Sequence, residues 1–337
     1  MRWDGQTDAG APLALIEQGA VTRRFDTPRF QGMEFYEVHA RSVLNRVPDS
    51  SPVPFRWTVN PYRGCSHACT YCFARSTHSW LDLSPGLDFD RRVVVKVNAP
   101  EVLRRELARP RWARERVALG TNVDPYQRVE GRYRLMPGII EALRDSATPF
   151  SILTKGTLIL RDLELLAGVA QRVRVEVAMS IGSIDPDVWR ATEPGTPSPA
   201  RRLEAVSRMR ERGLRPTVLC APLIPGLSDS REAIEATVRA CADAGAVKVT
   251  GIPLHLRPGA REWFLERISD THPQLLPRLR QLYRRGAYAP ADYRREIGAL
   301  VASAARRHGV HRDPEPVEPG PTDRAAKEQA PEQLSLL

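Results

Sequence analysis

The chain has 337 residues, of which 42% are hydrophobic and 27% charged, and its formal net charge is +10. This apolar fraction suffices for a folded core and excludes a chain that is disordered throughout. No run of about 18 apolar residues occurs, and no signal-peptide core follows Met1, so we expect a cytoplasmic protein without a membrane span. The excess of positive charge favours an anionic partner such as nucleic acid, although a general preference for arginine gives the same balance.

The composition divides the chain into four segments. Residues 1–54 form an N-terminal extension that ends in a linker-like run rich in serine and proline. Residues 55–257 are predicted to form the core, and residues 258–312 a helical cap. Residues 313–337 hold five prolines and carry a net charge of −4, which predicts a disordered tail.

Within the core, short apolar runs alternate with patterns of helical periodicity. The runs predict strands at Phe55–Val59, Val93–Val97, Val117–Leu119, Phe150–Leu153, Val173–Met179, Thr217–Leu219 and Val247–Thr250. The helical patterns cover Glu101–Arg109, Arg201–Arg212 and Glu232–Ala244. Such alternation predicts an α/β fold with a parallel sheet, and six or seven units suggest a full or partial (β/α) barrel. The chemistry should then gather at the C-terminal ends of the strands.

From Pro258 onward the periodicity is helical only, which defines the predicted cap. This segment interleaves basic and aromatic residues, namely Arg278, Arg280, Tyr283, Arg284, Arg285 and Tyr288. Such a pattern suits the neutralisation of phosphates and the stacking of bases. The alternative is an ordinary exposed helix face with Tyr283 packed inward.

Three of the five cysteines fall within eight residues, at Cys65, Cys69 and Cys72. An odd, clustered set in a chain without a secretion signal indicates metal binding rather than disulfides. Three thiolates on one tight loop are able to hold three irons of a 4Fe-4S cluster and leave the fourth iron open to a ligand. A zinc site would need a fourth ligand such as His67 or His78, and the sequence has no second Cys-x2-Cys pair.

Of the remaining cysteines, Cys220 extends the predicted strand that starts at Thr217, and Cys241 lies within the predicted helix Glu232–Ala244. Each of them lies on the apolar face of its element, so we interpret these cysteines as small core residues. They are therefore not candidates for a fourth cluster ligand.

The cysteine loop, with Tyr71 directly before the third cysteine, resembles the signature of radical S-adenosylmethionine (SAM) enzymes. The resemblance implies a full or partial (β/α) barrel of radical SAM type. It also implies a 4Fe-4S cluster, SAM bound at the open iron, and a 5′-deoxyadenosyl radical that abstracts a substrate hydrogen. A one-electron donor such as flavodoxin or ferredoxin is implied as a partner.

Four further segments resemble the spore photoproduct lyase-like branch of these enzymes, namely residues 71–75, 95–99, 120–127 and 153–155. The likeness covers about residues 55–255. It implies that SAM is contacted by Tyr71, Asp124, Lys155, Ser180 and Arg202. Lys155 and Arg202 are expected at the SAM carboxylate, and Ser180 at the ribose. Each of these residues is also explained as a solvated polar group at the end of a strand or helix.

The chain departs from the lyase at one position. The lyase uses a cysteine beside SAM to return a hydrogen atom to its product, whereas the matching strand end here reads Ala118-Leu119-Gly120-Thr121. Tyr126 is the residue we predict as a replacement hydrogen donor. A tyrosine that packs in the core or stacks on a substrate is the alternative interpretation.

These features predict a radical SAM enzyme that acts on nucleic acid, with DNA repair as the most specific form of the hypothesis. One alternative is the radical modification of a protein, a tRNA or a small metabolite. A second alternative is a non-catalytic iron–sulfur protein that binds DNA. Cleavage of SAM by the reduced protein distinguishes this last class from the first two.

The chain ends in a short apolar motif formed by Gln333, Leu334, Leu336 and Leu337. It resembles the peptide with which bacterial replication and repair proteins bind the DNA sliding clamp. A synthetic peptide ending in Gln333–Leu337 should bind purified clamp, and Leu336→Ala should abolish binding because an apolar anchor is lost. The absence of binding at high micromolar concentration, together with a lower melting temperature after deletion of these residues, would instead show that the leucines fold back onto the enzyme.

The cluster hypothesis predicts that anaerobically purified protein binds about four irons, since three thiolates and one open iron define such a site. Replacing Cys65, Cys69 or Cys72 by Ala should abolish iron binding, whereas Cys220→Ala and Cys241→Ala should leave it unchanged. Iron analysis and the visible absorbance of the reconstituted protein measure this. Stoichiometric zinc without cluster absorbance would contradict the hypothesis.

Overall fold

A computed structural model describes residues 19–51 and 53–311. The first part of the N-terminal extension lies outside these residues. So do the predicted tail and its clamp-binding motif, Gln333, Leu334, Leu336 and Leu337.

The strands form two sheets. In chain order they are β1 (Val21–Arg23), β2 (Glu34–Val38), β3 (Leu44–Arg46), β4 (Trp57–Val59), β5 (Tyr62–Arg63), β6 (Arg92–Lys96), β7 (Val117–Leu119), β8 (Phe150–Thr154), β9 (Val175–Ser180), β10 (Thr217–Leu223) and β11 (Lys248–Pro253). The larger sheet has seven strands in the order β11-β10-β9-β8-β7-β4-β3. Its six strands from β4 to β11 are parallel, and β3 is antiparallel to β4 at one edge.

The edge strands β3 and β11 are not paired with each other in the part of the chain that the structure describes. The expected α/β fold is therefore confirmed as a partial (β/α) barrel with an open side. The N-terminal extension contributes β3 to this sheet, which joins the predicted extension to the core.

The second sheet has four strands in the order β1-β2-β6-β5. The predicted strand Val93–Val97 forms as β6, but it pairs in parallel with β2 and antiparallel with β5. Our prediction that it belongs to the barrel sheet is therefore wrong. The reason is physical: Val93, Val94 and Val95 are all buried, and an apolar run reports burial on both faces without naming the strand's neighbour.

The helices cover the outer face of the barrel and one end of it. They are α1 (Leu87–Arg91), α2 (Ala99–Leu107), α3 (Glu130–Tyr133), α4 (Leu135–Asp145), α5 (Leu163–Ala170), α6 (Pro186–Thr192), α7 (Pro199–Glu211), α8 (Arg231–Asp243), α9 (Ala260–Thr271), α10 (Leu276–Leu282) and α11 (Ala291–Arg307). Ser198 and Ser230 cap α7 and α8 by accepting from the backbone N–H groups of Arg201 and Ala233. None of the helices within the described ranges is long and apolar enough to cross a bilayer.

The helices predicted for the cap divide into two groups. α9 and α10 build a second apolar cluster, in which Phe264 of α9 packs with Leu254 and Leu256 of the segment after β11. α11, in contrast, packs against β11 and α8 and thus occupies the outer helical layer of the barrel. Tyr283 is buried and donates its hydroxyl to the carbonyl oxygen of Leu254 at 2.6 Å, as the packed alternative expected.

Alternation along the parallel strands decides which residues face the inside of the barrel. On β8 and β10, Ile152, Val218 and Cys220 are buried against the helices, as is Cys241 on α8. The alternate residues, Ser151, Leu153, Ala178, Leu219 and Thr250, line a cavity of about 490 Å³ on the concave face. Arg116, Arg174 and Lys248, at the N-terminal starts of β7, β9 and β11, also line it, so the cavity lies toward the N-terminal ends of the strands.

Gly120 fixes how closely β7 and β8 approach at that end. It directly follows β7 with φ +89°, and a Cβ at this position would lie 2.0 Å from the carbonyl oxygen of Leu153. Only glycine fits both the left-handed conformation and the contact. The loop after β7 is thus held against the end of β8, which Lys155 directly follows.

Candidate functional site

The cysteine loop follows β5 and closes in two successive turns. The N–H of Ala68 donates to the carbonyl oxygen of Cys65 at 3.1 Å, and the N–H of Cys72 donates to that of Cys69 at 3.3 Å. Ala68 adopts a left-handed conformation with φ 52° between them. These turns bring the three thiols onto one short loop, and Cys65 and Cys69 are each 7% exposed.

The thiols suit the donor set of a 4Fe-4S cluster. All five cysteines are free. Burial raises the pKa of Cys65, Cys69 and Cys72, because the thiolate form loses its solvation. A bound metal ion would stabilise the thiolates through its positive charge. Within residues 19–51 and 53–311, no three His, Cys, Asp or Glu side chains close around a single metal ion. A cubane asks for a different arrangement, because each thiolate binds its own iron.

Gln127 anchors the start of the loop. Its side chain is fully buried, accepts from the N–H of Ser66 at 2.7 Å and donates to the carbonyl oxygen of Gly64 at 3.0 Å. These two bonds satisfy backbone groups that flank Cys65 and that have no strand partner. Gln127 thereby ties the loop to the segment after β7.

Arg75 anchors the other end of the loop, and our sequence analysis did not identify it. Its guanidinium is completely buried and donates twice to the carbonyl oxygen of Cys69, at 3.0 Å each. It also forms an ion pair with Asp90 at 2.6 Å. A buried arginine with several fixed acceptors holds one geometry, so Arg75 locks the turn between Cys69 and Cys72.

Asp124 was predicted to contact SAM, but its carboxylate is occupied by protein donors. It accepts from the N–H of Lys155 at 2.6 Å and from the Thr154 hydroxyl at 2.5 Å. The N–H of Tyr126 and the imidazole of His67 lie at 2.9 and 3.2 Å from it. Asp124 therefore joins the cysteine loop to the ends of β7 and β8, and it positions the backbone of Lys155.

Lys155, Ser180 and Tyr71, each predicted to contact SAM, lie close together. The Lys155 ammonium donates to the Ser180 hydroxyl and lies 3.3 Å from the carbonyl oxygen of Ala221, to which Ser180 also donates at 3.0 Å. The ammonium stands 5.8 Å from the ring centroid of Tyr71. Lys155 and Ser180 continue the concave faces of β8 and β9, so a positive charge faces the mouth of the barrel beside the cysteine loop.

A buried glutamate, Glu193, connects these groups. Its carboxylate accepts from the hydroxyl of Tyr71 and from the guanidinium of Arg202, and it lies 3.4 Å from the Lys155 ammonium. Burial opposes its ionisation, but Arg202 and Lys155 outweigh that cost and lower the pKa of Glu193 to about 2. Nothing in the local pattern of Glu193-Pro194-Gly195 indicates a buried charge, so the sequence analysis missed it.

Arg202 was predicted at the SAM carboxylate, and the structure gives it a different set of partners. It is 1% exposed and donates to the carbonyl oxygens of Ser180 at 2.8 Å and Pro197 at 3.0 Å, besides its bond to Glu193. These acceptors surround the guanidinium. Arg202 consequently holds the Glu193 carboxylate and the backbone at Ser180 in place.

Backbone contacts hold the segment around Glu193 against the cysteine loop. The N–H of Thr70 donates to the carbonyl oxygen of Thr192 at 2.9 Å, and the N–H of Gly195 donates to that of His67 at 3.0 Å. A Cβ on Gly195 would lie 2.3 Å from the carbonyl oxygen of Ser66, which explains the glycine. The loop and the segment after α6 therefore form one packed unit.

Residues 59–241 match the sequence pattern of the Radical SAM superfamily. The chain belongs to this superfamily. A Mycobacterium tuberculosis (H37Rv) relative, uncharacterized protein Rv2578c, is 50% identical over 326 residues, which cover 95% of this chain and 96% of the relative. A Methanocaldococcus jannaschii relative, uncharacterized protein MJ0683, is 27% identical over 199 residues, which cover 58% of this chain and 70% of the relative.

Solved structures of spore photoproduct lyase share the fold of this radical SAM enzyme. The lyase complexed with dinucleoside spore photoproduct has a TM-score of 0.61 at 16% identity, covering 82% of this chain and 81% of the lyase. A lyase variant with bound AdoMet and the same dinucleoside has a TM-score of 0.58 at 17% identity, covering 78% and 77%. The fold expected from the resemblance to the lyase-like branch is confirmed.

Tyr126, predicted as a hydrogen donor, lies in the core of this radical SAM enzyme. Its side chain is 1% exposed and packs in the main apolar cluster. Burial raises the pKa of Tyr126, and the nearby carboxylates of Asp162 and Glu130 add to this effect. The packed alternative is the one that this burial favours, and a direct contact between Tyr126 and a substrate would require the core to open.

Replacing Glu193 by Ala should destabilise the radical SAM enzyme by about 3–5 kcal/mol, because Arg202 would keep a buried charge without its partner. Guanidinium denaturation under anaerobic conditions measures this. The matched control is Glu204→Ala, whose partner Arg201 lies at 3.2 Å with the two side chains 72% and 48% exposed (Arg201 first). Loss of this exposed pair should cost about 1 kcal/mol or less.

The contribution of Glu193 should also depend on pH. Since its pKa falls from the ordinary value of 4.5 to about 2 on folding, the stabilisation should be complete above pH 4.5 and decline toward pH 2. Equal costs for the two glutamate variants at neutral pH would contradict the role assigned to Glu193.

Proposed function

We propose that this radical SAM enzyme acts on DNA, with Cys65, Cys69 and Cys72 holding the cluster and SAM bound between the cysteine loop and the ends of β8 and β9. The observation that carries this proposal is the position of the Lys155 ammonium. It faces the mouth of the barrel, 5.8 Å from the Tyr71 ring and in contact with Ser180. A cation, a hydroxyl and an aromatic ring beside three thiols suit an amino-acid carboxylate, a ribose and a methionine-derived cofactor.

The cluster and SAM together supply, when bound, a 5′-deoxyadenosyl radical that takes a hydrogen atom from the substrate. The chain's own groups bind and orient. Lys155 would pair with the SAM carboxylate, and Ser180 would donate to or accept from the ribose. Asp124 fixes the backbone of Lys155, while Glu193 and Arg202 fix Tyr71 and the strand end at Ser180.

Two observations support DNA as the substrate. The chain carries a net charge of +10, which favours a polyanion. Its fold is shared with a lyase whose structure contains a dinucleoside photoproduct. The terminal motif Gln333–Leu337 would bring such an enzyme to DNA through the sliding clamp.

Hydrogen return is where this enzyme would differ from the lyase. The strand end at Gly120 has no cysteine. Cys220 and Cys241 face the helical layer, at 1% and 0% exposure, so neither reaches the concave face. A thiol of this chain therefore does not return hydrogen in the proposed reaction, which points to a product other than repaired spore photoproduct.

Reduced, reconstituted protein should form 5′-deoxyadenosine from SAM, and ultraviolet-irradiated DNA should accelerate this above undamaged DNA of the same sequence. Chromatography of the anaerobic reaction measures it, with Cys69→Ala as the inactive control. Acceleration by tRNA, protein extract or metabolites but not by DNA would favour the alternative of another radical modification. The absence of any SAM cleavage would favour the non-catalytic DNA-binding alternative.

Lys155→Ala should keep the full iron content but weaken SAM binding by about 2–5 kcal/mol, the range for loss of a buried charge partner. Lys155→Arg retains the positive charge and should lose less. Equilibrium dialysis of SAM against the iron-loaded proteins measures this. Equal SAM affinity in the wild type and Lys155→Ala would exclude Lys155 from the SAM site.

A further inference from the structure

Three aromatic rings form a row beside the cysteine loop. The ring centroids of Phe73 and His255 are 5.5 Å apart with an interplanar angle of 34°, and those of His255 and Tyr288 are 5.6 Å apart at 24°. Tyr288 is 56% exposed and ends the row at the surface. His255 covers the inner face of the Tyr288 ring, so the outer face remains available for stacking on a flat ligand.

The backbone holds this ring row in place. His255 and Tyr288 face each other in an antiparallel bridge, and the N–H of Leu256 donates to the carbonyl oxygen of Ala287 at 2.7 Å. Arg261 donates to the carbonyl oxygen of Gly286 in the same segment. The exposed face of Tyr288 is therefore presented by fixed backbone, which lowers the entropy lost when a flat ligand stacks on it.

Two guanidinium groups flank the ring row. The guanidinium carbon of Arg257 lies 5.4 Å from the centroid of Phe73, and that of Arg294 lies 5.7 Å from the centroid of Tyr288. Both arginines are exposed. Burial, and then the neighbouring Arg257, lower the pKa of His255, so the middle ring is neutral at neutral pH. The positive charge thus lies at the two ends of the row and an uncharged π surface between them.

The ring row stands at the open side of the barrel. Phe73 directly follows the cluster ligand Cys72, and His255 lies two residues beyond β11, the edge strand of the large sheet. Near the same end of β11, Ile252 is 44% exposed. A strand laid across the rings would therefore pass close to the cysteine loop.

We propose that an unpaired base of single-stranded DNA stacks on Tyr288, while Arg257 and Arg294 bind the phosphates on either side. The site rests on the proposed function, because it assigns the docking position of a DNA substrate. The charge pattern matches a nucleotide strand, in which a flat uncharged base alternates with anionic phosphates. A docked protein would need about 800 Å² of complementary surface on this side, far more than one exposed ring supplies.

The decisive variant is Tyr288→Ala in the full-length, cluster-reconstituted protein. Its affinity for a fluorescein-labelled oligo(dT), measured by anisotropy, should fall by about tenfold or more, the usual cost of removing a stacked ring. Tyr288→Phe keeps the ring and should bind within about twofold of the wild type. The matched control is Trp80→Ala, which removes another exposed aromatic residue, 71% exposed with Arg63 at 5.7 Å, and should leave the affinity unchanged.

The two arginines give an independent readout. Loss of each phosphate contact in Arg257→Ala and Arg294→Ala should reduce the slope of log affinity against log salt by about 0.7. Circular dichroism and iron content should match the wild type in every variant.

The outcomes separate this site from the proposed function. If the wild type binds oligo(dT) and Tyr288→Ala binds equally well, the stacking site is wrong and the DNA hypothesis stands. If the wild type binds neither single- nor double-stranded DNA, the proposed function itself fails. Preference for an oligo(U) RNA of equal length would overturn the assignment to DNA. If Tyr288→Ala binds DNA like the wild type but its cluster is reduced more slowly by flavodoxin, the ring row is the docking site of the electron donor instead.

Discussion

A buried carboxylate with three partners connects the cysteine loop to the mouth of the barrel. Glu193 receives the hydroxyl of Tyr71 from the loop, the guanidinium of Arg202 from α7 and the nearby ammonium of Lys155 from the end of β8. A charge in this position is tolerable only while its partners stay in place. The position of the loop relative to the strands is thereby fixed by electrostatics as well as by packing.

The same network suggests how Lys155 would serve two anions. Arg202 is hydrogen-bonded to Glu193, whereas the Lys155 ammonium lies 3.4 Å away and is also bonded to Ser180. Glu193 therefore retains a charged partner if Lys155 turns toward an incoming carboxylate. Because Arg202 already carries the compensation, binding an anion beside Tyr71 need not leave a buried negative charge uncovered.

Several buried polar side chains around the cysteine loop hold other groups in position. Asp124, Gln127 and Arg75 use their side chains on backbone groups of the loop or of the strand end at Lys155. Fixed surroundings of this kind keep a reactive pair in one geometry, which matters when a radical must meet one hydrogen atom among many. The substrate is the component that these contacts do not fix, and the sheet stays open between its edge strands β3 and β11.

The sequence alone was sufficient for the parts of this enzyme that depend on local spacing. The cysteine loop spans only residues 65–72, so the local spacing by itself brings three thiols together. The strands and helices of the core also formed where apolar periodicity placed them, and Lys155 and Ser180 met because parallel strands end at the same edge. Tertiary structure alone decided the rest. β6 left the barrel sheet for β2, Asp124 and Arg202 turned to protein partners, and Glu193 joined Tyr71 across 122 residues of chain. The reason is that periodicity reports which side of an element is buried, whereas the partner of a buried charge or strand depends on long-range contacts that no local pattern specifies.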